Sequence, residues 1–205
     1  MKSLFKNLIV FAMLTLAVSS FNGCGGGQPA NNATANTNAS NANSASMANA
    51  TEYPPLASAL ADAEFENLDG TKFKTSDKKG EVVLLNIWGI WCGPCRAEMP
   101  ELIALQDKYR SQGLEIVGLN IGDEDGGLEP MDAIKKFADA MKLNYTIARS
   151  PRESTQQYYA VTKKSVVPQN ILIDRKGRLR GVFSGAGSSV YQALRDTIDK
   201  VVNEQ

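Results

Sequence analysis

The stretch Leu84-Leu85-Asn86-Ile87-Trp88-Gly89-Ile90-Trp91-Cys92-Gly93-Pro94-Cys95-Arg96-Ala97-Glu98-Met99-Pro100 decides the fold. Its first part completes a run over 82–87 that is apolar except at Asn86, the pattern of a central strand buried on both faces. Its last part opens a helix. Met99, Leu102, Leu105 and Tyr109 recur near helical spacing, and Gly113 supplies a C-terminal stop. Cys92 and Cys95 stand three apart where strand gives way to helix. Two thiols at that spacing can close a small disulfide ring when the first lies at the helix end. There the unsatisfied backbone N–H groups and the helix dipole stabilise a thiolate on Cys92. Pro94 suits the first turn, where its missing N–H costs nothing.

Composition narrows the chemistry further. The chain has 205 residues, no histidine and three cysteines. Without histidine, Cys-His and Ser-His-Asp catalysis are excluded, and the commonest transition-metal ligand is missing. A structural zinc site needs about four ligands, and the chain offers no second cysteine pair. Lys plus Arg equals Asp plus Glu at 22 each, so no net field points to nucleic acid. Asp123-Glu124-Asp125 lacks the spaced oxygen ligands of a calcium loop and reads as a solvated turn. No metal and no cofactor are expected.

The amino terminus reads as an address. Lys2 and Lys6 precede an apolar run over 8–18 that is short for a membrane span, and small residues follow up to Phe21-Asn22-Gly23-Cys24. This is the pattern of a secretory signal. Residues 25–51 are mostly Asn, Ala, Ser, Thr and Gly. They cannot bury enough apolar surface to offset ordering entropy, so a disordered tether is expected, spanning roughly 30 Å as a flexible coil. The chain divides accordingly into a signal over 1–23, a tether over 24–52 and one domain over 53–205.

Within that domain, 64–68 and 71–73 flank Asp69-Gly70 and predict a hairpin. A strand is expected over 114–121, a helix from Pro130 to Met141 with Ile134, Phe137 and Met141 on one face, a short strand over 145–148 and a short helix over 153–159. Strands over 170–174 and 179–183 flank Arg175-Lys176-Gly177 as a second hairpin. Val190, Leu194, Ile198, Val201 and Val202 mark a closing amphipathic helix. After the first hairpin the order is β–α–β–α–β–α–β–β–α, which packs as a central mixed sheet with helices on both faces.

The stretch 84–100 resembles the thioredoxin superfamily, and within it the extracytoplasmic branch typified by the TlpA and ResA proteins of cytochrome c maturation. The resemblance covers about 55–202 and implies an α/β thioredoxin-like fold with an N-terminal β-hairpin extension. Pro100 matches the proline that kinks the family's active-site helix. Val167-Pro168 matches the loop whose cis-proline faces the disulfide, and Asp174-Arg175-Lys176-Gly177 the turn after the next strand. By this resemblance Cys92, the exposed first cysteine, attacks a substrate disulfide, and Cys95 resolves the mixed disulfide. Pro168, with Val167, Trp91, Gly93 and Pro94, is expected to receive the substrate chain. Glu98 occupies the place of a glutamate in the ResA-like branch and is a candidate proton acceptor if partly buried. Asn86 stands where cytoplasmic thioredoxins carry an aspartate, whose task an amide cannot perform. Gln169 and Asn170 depart from the small hydroxyl residues usual after the proline. The end of the signal is similar to the bacterial lipoprotein pattern, in which Cys24 is acylated, although Phe21 and Asn22 depart from it.

Both directions of electron flow use this apparatus. Gly93-Pro94 matches reducing thioredoxins, whereas oxidants of the DsbA kind carry a histidine there, so a reductase is expected ahead of a disulfide oxidase or isomerase. A thiol peroxidase of related fold needs a threonine beside its cysteine, where this chain has Ile90-Trp91. The resemblance further implies protein disulfide substrates such as apocytochrome c, and a membrane thiol donor of the DsbD or CcdA kind. It also implies an extracytoplasmic location as a membrane-anchored lipoprotein, on the periplasmic face in a Gram-negative cell.

Overall fold

The computed structural model describes residues 53–204; the expected signal and tether, with Cys24, lie outside the described residues. Strands β1 (Glu64–Asn67) and β2 (Lys72–Lys74) form the expected antiparallel hairpin. Asp69 closes its turn by accepting from the Thr71 N–H and hydroxyl at 2.9 and 2.6 Å. Strand β3 (Val82–Trp88) pairs parallel with β4 (Leu114–Asn120), and β4 pairs parallel with β5 (Thr146–Arg149). On the other side of β3, β6 (Gln169–Ile173) runs antiparallel, followed by β7 (Leu179–Ser184). Because β1 pairs with β5, the hairpin extends one seven-stranded mixed sheet of order β2-β1-β5-β4-β3-β6-β7.

Helices α1 (Ser58–Ala61), α2 (Gly93–Tyr109), α3 (Met131–Met141), α4 (Arg152–Thr162) and α5 (Ser188–Asn203) cover the sheet. Every residue of β3 is buried, and period-two alternation divides it between two cores. Val82, Leu84 and Trp88 pack with Met99 and Leu102 of α2, Ile134 of α3 and Ile198 of α5. Val83, Leu85 and Ile87 pack with Leu60 of α1 and Tyr158 of α4. A truncation such as Leu84→Ala would remove contacts inside a closed layer, at a cost of about 2–5 kcal/mol. Gln106 ties α2 to β4: its side-chain nitrogen donates to the Leu114 carbonyl at 2.8 Å and its oxygen accepts the Ile116 N–H at 2.7 Å. Those backbone groups precede the β4–β5 pairing, which begins at Val117.

Five local features depart from the sequence reading. The turn α1 and the 3-10 segment Thr75–Lys78 were not foreseen; α1 has no side-chain cap and buries only Leu60, too little for a periodic signal. Helix α4 runs past 159 to Thr162 and ends on Lys163 at φ 58, so no glycine marks its stop. Trp88, one residue past the apolar run over 82–87, is still part of β3 as its last residue and stacks on Phe137 with ring centroids 5.2 Å apart. Pro130 stands at the N-cap of α3, just outside its first turn.

Candidate active site

Three residues, Gly89, Ile90 and Trp91, lead from the end of β3 into α2, and Cys92 is the N-cap residue of that helix. Its Sγ accepts a hydrogen bond from the Cys95 N–H at 3.1 Å, and a disulfide joins Cys92 to Cys95 with the Cα atoms 5.3 Å apart. One sulfur therefore takes up an N–H that has no partner inside the helix, the position where negative charge is most favoured. Gly93 and Pro94 form the exposed start of α2, and Pro100 lies on its solvent side. The expected contrast between an exposed Cys92 and a buried Cys95 is absent: they are 4% and 2% exposed. Both cysteines belong to the core between α2 and the sheet.

Trp91 is different, at 40% exposed. Its indole nitrogen donates to the Gly122 carbonyl at 2.9 Å, and it lies so close to Gly89 that a Cβ there would stand 2.5 Å from it. Gly89 is thus glycine for space, and the indole is held against the rim of the site. Val166, another exposed apolar residue, precedes the Val167–Pro168 bond, which is cis. Register puts Gln169 opposite Ile87, so Pro168 stands beside the end of β3 that leads to Cys92. Val167 packs against the core that holds the two cysteines. Gln169 braces the approach by donating to the carbonyls of Lys164 and Val166 at 2.8 and 2.6 Å.

One turn beyond Cys95, Glu98 is fully buried. It meets two side-chain amides on the sheet. Asn170 donates to Oε1 at 2.5 Å, Asn86 reaches Oε2 at 3.4 Å, and Asn86 also donates to Asn170 at 3.0 Å. Loss of water pushes the Glu98 carboxyl up to about 7, against the opposing pull of the two amides. A carboxyl poised there can take or return a proton near neutral pH.

A second buried carboxyl lies under the same turn. Glu129 accepts from the Asn120 side-chain amide and from the Ile90 N–H, and burial raises it above the usual carboxylate range. Asn120 also accepts the Gly122 N–H at 2.9 Å, so it pins both ends of the loop between β4 and α3. Gly122, at φ 100, has no room for a Cβ, which would stand 2.0 Å from the Gly127 carbonyl oxygen. The Asp123 acidic cluster closes its own turn, with Oδ1 accepting the Gly127 N–H at 2.6 Å.

The sequence had placed Cys92, Cys95, Glu98, Trp91, Val167 and Pro168 in one site, and all are gathered at the β3 end of the sheet or on the first turns of α2. Asn170 was visible only as a departure after the proline, and the pairing of Asn120 with Glu129 was missed. No periodicity links a strand end to a loop glutamate, so no linear signal could have found it.

The AhpC/TSA family pattern matches residues 56–182. The thiol-disulfide oxidoreductase ResA of Geobacillus thermodenitrificans is 32% identical over 130 residues, 63% of this chain and 70% of that protein. ResA of Bacillus anthracis is 34% identical over 135 residues, 66% of this chain and 72% of that protein. A Chlorobium tepidum structure described as the thiol:disulfide interchange protein DsbE superposes with a TM-score of 0.58 at 31% identity, covering 68% of this chain and 92% of that one. A secreted thiol-disulfide isomerase of Corynebacterium glutamicum superposes at 0.60 with 26% identity, covering 75% and 86%. With a ring-closed Cys-Gly-Pro-Cys pair at a helix N-terminus on this sheet, and with these relatives, the chain belongs to the thioredoxin-like AhpC/TSA family and is a thiol–disulfide oxidoreductase.

Proposed function

We propose that the chain works outside the cytoplasm as a reductase of disulfides in exported proteins, through Cys92 and Cys95. The observation that carries this reading is the disulfide itself, capping α2 with Cys95 N–H on Cys92 Sγ and a buried carboxyl one turn on. In the reduced protein, Cys92 thiolate attacks a client disulfide; the Cys92–client bond forms and one client thiolate leaves with the electron pair. Cys95 thiol then gives its proton to Glu98, and the Cys95 thiolate attacks Cys92 Sγ. The second client thiolate departs and collects a proton, so two electrons pass to the client and the Cys92–Cys95 bond re-forms. Glu98 returns its proton when a dithiol donor recharges the pair. Trp91, Val167 and Pro168, with Gly93 and Pro94, form the rim on which the client chain lies, and the exposed indole gives that rim an apolar contact.

Gly93-Pro94 between the cysteines favours the reducing direction by its likeness to thioredoxins. A peroxidase reading finds no support at Ile90-Trp91, where the threonine of such a site would stand. The ResA relatives support an extracytoplasmic setting, with apocytochrome c as a fitting client class and a DsbD- or CcdA-like membrane donor. No helix among the described residues is long and apolar enough to cross a membrane. The likeness of the stretch ending at Cys24 to the bacterial lipoprotein pattern supports acylation of Cys24 as the anchor, with 1–23 as its signal and 24–52 as the tether. The tether would raise the domain's effective concentration at a membrane donor. Equilibration of Cys92–Cys95 against glutathione tests the direction. A potential near thioredoxin's, about −270 mV, supports the reductase; one near DsbA's, about −120 mV, makes the chain an oxidase of its clients. Incorporation of labelled fatty acid that survives Cys24→Ala would rule out the lipid anchor.

A further inference from the structure

The two amides that meet Glu98 stand on facing strands. Asn86 of β3 and Asn170 of β6 are directly opposed, on the sheet face that carries Leu84, Trp88 and Leu172 against α2. Both are at most 2% exposed. Polar groups in such a layer are costly unless bonded. Their bonds run in one sense only. Asn86 gives one N–H to Asn170 Oδ1 at 3.0 Å; with its oxygen so engaged, Asn170 presents its nitrogen to Glu98 Oε1 at 2.5 Å. The Asn86 nitrogen also reaches Glu98 Oε2 at 3.4 Å, so both carboxyl oxygens face donors. An ionised carboxyl, which only accepts, is matched by this arrangement, whereas a protonated one carries a hydrogen that neither amide nitrogen can receive. The other titratable groups facing Glu98 are the phenols of Tyr145, just ahead of β5, and Tyr191 on α5, with Cys95 one turn earlier on α2.

We propose that Asn170 is a positioning residue for thiol–disulfide exchange: oriented by Asn86, its amide holds the Glu98 carboxyl as a proton acceptor one turn from Cys95, and so sets the pH range in which Cys95 resolves the mixed disulfide. This rests on the reading of Glu98 as the group that takes the Cys95 proton. The amides oppose the effect of burial on Glu98, so loss of the Asn170 donor leaves that effect less opposed. Glu98 would then hold its own proton at a higher pH, and resolution would require more alkaline conditions.

The test follows single-turnover reduction of a disulfide-closed peptide by the full-length reduced protein from pH 5 to 9. Four proteins are compared: unmodified, Asn170→Leu, Glu98→Gln and the double variant, with Asn170→Thr as the second probe should Asn170→Leu fold poorly. The expected result is an alkaline shift of about one pH unit in the midpoint for the Asn170 variant, a roughly fivefold slower reaction at pH 7 because the Glu98 midpoint lies near that pH, and no further change when it is added to Glu98→Gln. An unmoved midpoint in the Asn170 variants, with Glu98→Gln still changing the profile, overturns the proposal and leaves Glu98 its role. An Asn170 effect of equal size in the Glu98→Gln background shows action through packing alone and also overturns it. A profile untouched by Glu98→Gln removes the role of Glu98 and the proposal with it.

Discussion

Glu98 and Glu129 are both buried beside the disulfide loop, both accept from an asparagine, and burial raises both carboxyls. Their surroundings divide their work. Glu98 projects from α2 onto the sheet, meets only side-chain amides, and shares a helix face with Cys95. Glu129 lies in a loop and meets a backbone N–H, that of Ile90, with Asn120 binding the other end of the same loop. Burial alone can move a carboxyl toward neutral pH. What faces it decides whether the proton can be passed on or whether the group simply holds the backbone in place.

The sharpest way to break that comparison is to remove each charge in turn. Glu98→Gln is expected to slow resolution of the mixed disulfide about a hundredfold at pH 7, the lower range for loss of a general acid–base group. Glu129→Gln should change it less than about twofold. Stopped-flow traces of equal slowing in both variants would show that the two carboxyls do not differ in role.

Stability against pH comes next. Glu98 stands near 7 in the folded chain against an ordinary 4.5, so folding favours its protonated form. Its contribution is therefore full at pH values below about 4.5, declines as pH rises between 4.5 and 7, and is lost above, by roughly 3 kcal/mol in all. Urea unfolding of the oxidised protein between pH 4 and 8 should show this decline, and Glu98→Gln should flatten most of it. Glu129 has the same sign, so Glu129→Gln should remove a smaller part.

Glu129→Ala tests the loop-holding role directly. It leaves the Ile90 N–H and the Asn120 amide without their acceptor, at a cost of about 1–3 kcal/mol, and should alter Trp91 fluorescence because the indole bonds to Gly122 in that loop. An unchanged spectrum and unfolding midpoint would detach the loop from Glu129. The smallest effect is expected from Gly89→Ala, where the new Cβ meets the Trp91 nitrogen at 2.5 Å and must displace the ring. A few-fold rise in KM for a protein client, with reduction of Cys92–Cys95 by dithiothreitol unchanged, would place Trp91 on the client side of the site; equal loss in both reactions would place it in the support of Cys92.

The sequence by itself determined the parts that are local. An apolar run, a Cys-Gly-Pro-Cys turn and a helical repeat specify strand, N-cap cysteine and helix because each pattern acts over a few residues. The second hairpin and the closing helix were legible for the same reason, while α1 was not, since one buried leucine makes no period. Glu98 could be singled out from its place one turn after Cys95, but not its burial. That depends on α2 lying across β3 and β6, which brings Glu98 to Asn170, 72 residues away, and Asn86 to Asn170, 84 away. The near-complete covering of Cys92, too, belongs to the packing of α2 against the sheet rather than to its neighbours in the chain. Side-chain pairs of that separation are fixed by strand register and helix packing, which conclude only when the whole sheet is assembled; the tertiary structure alone decided which carboxyl faces the chemistry and which holds the loop.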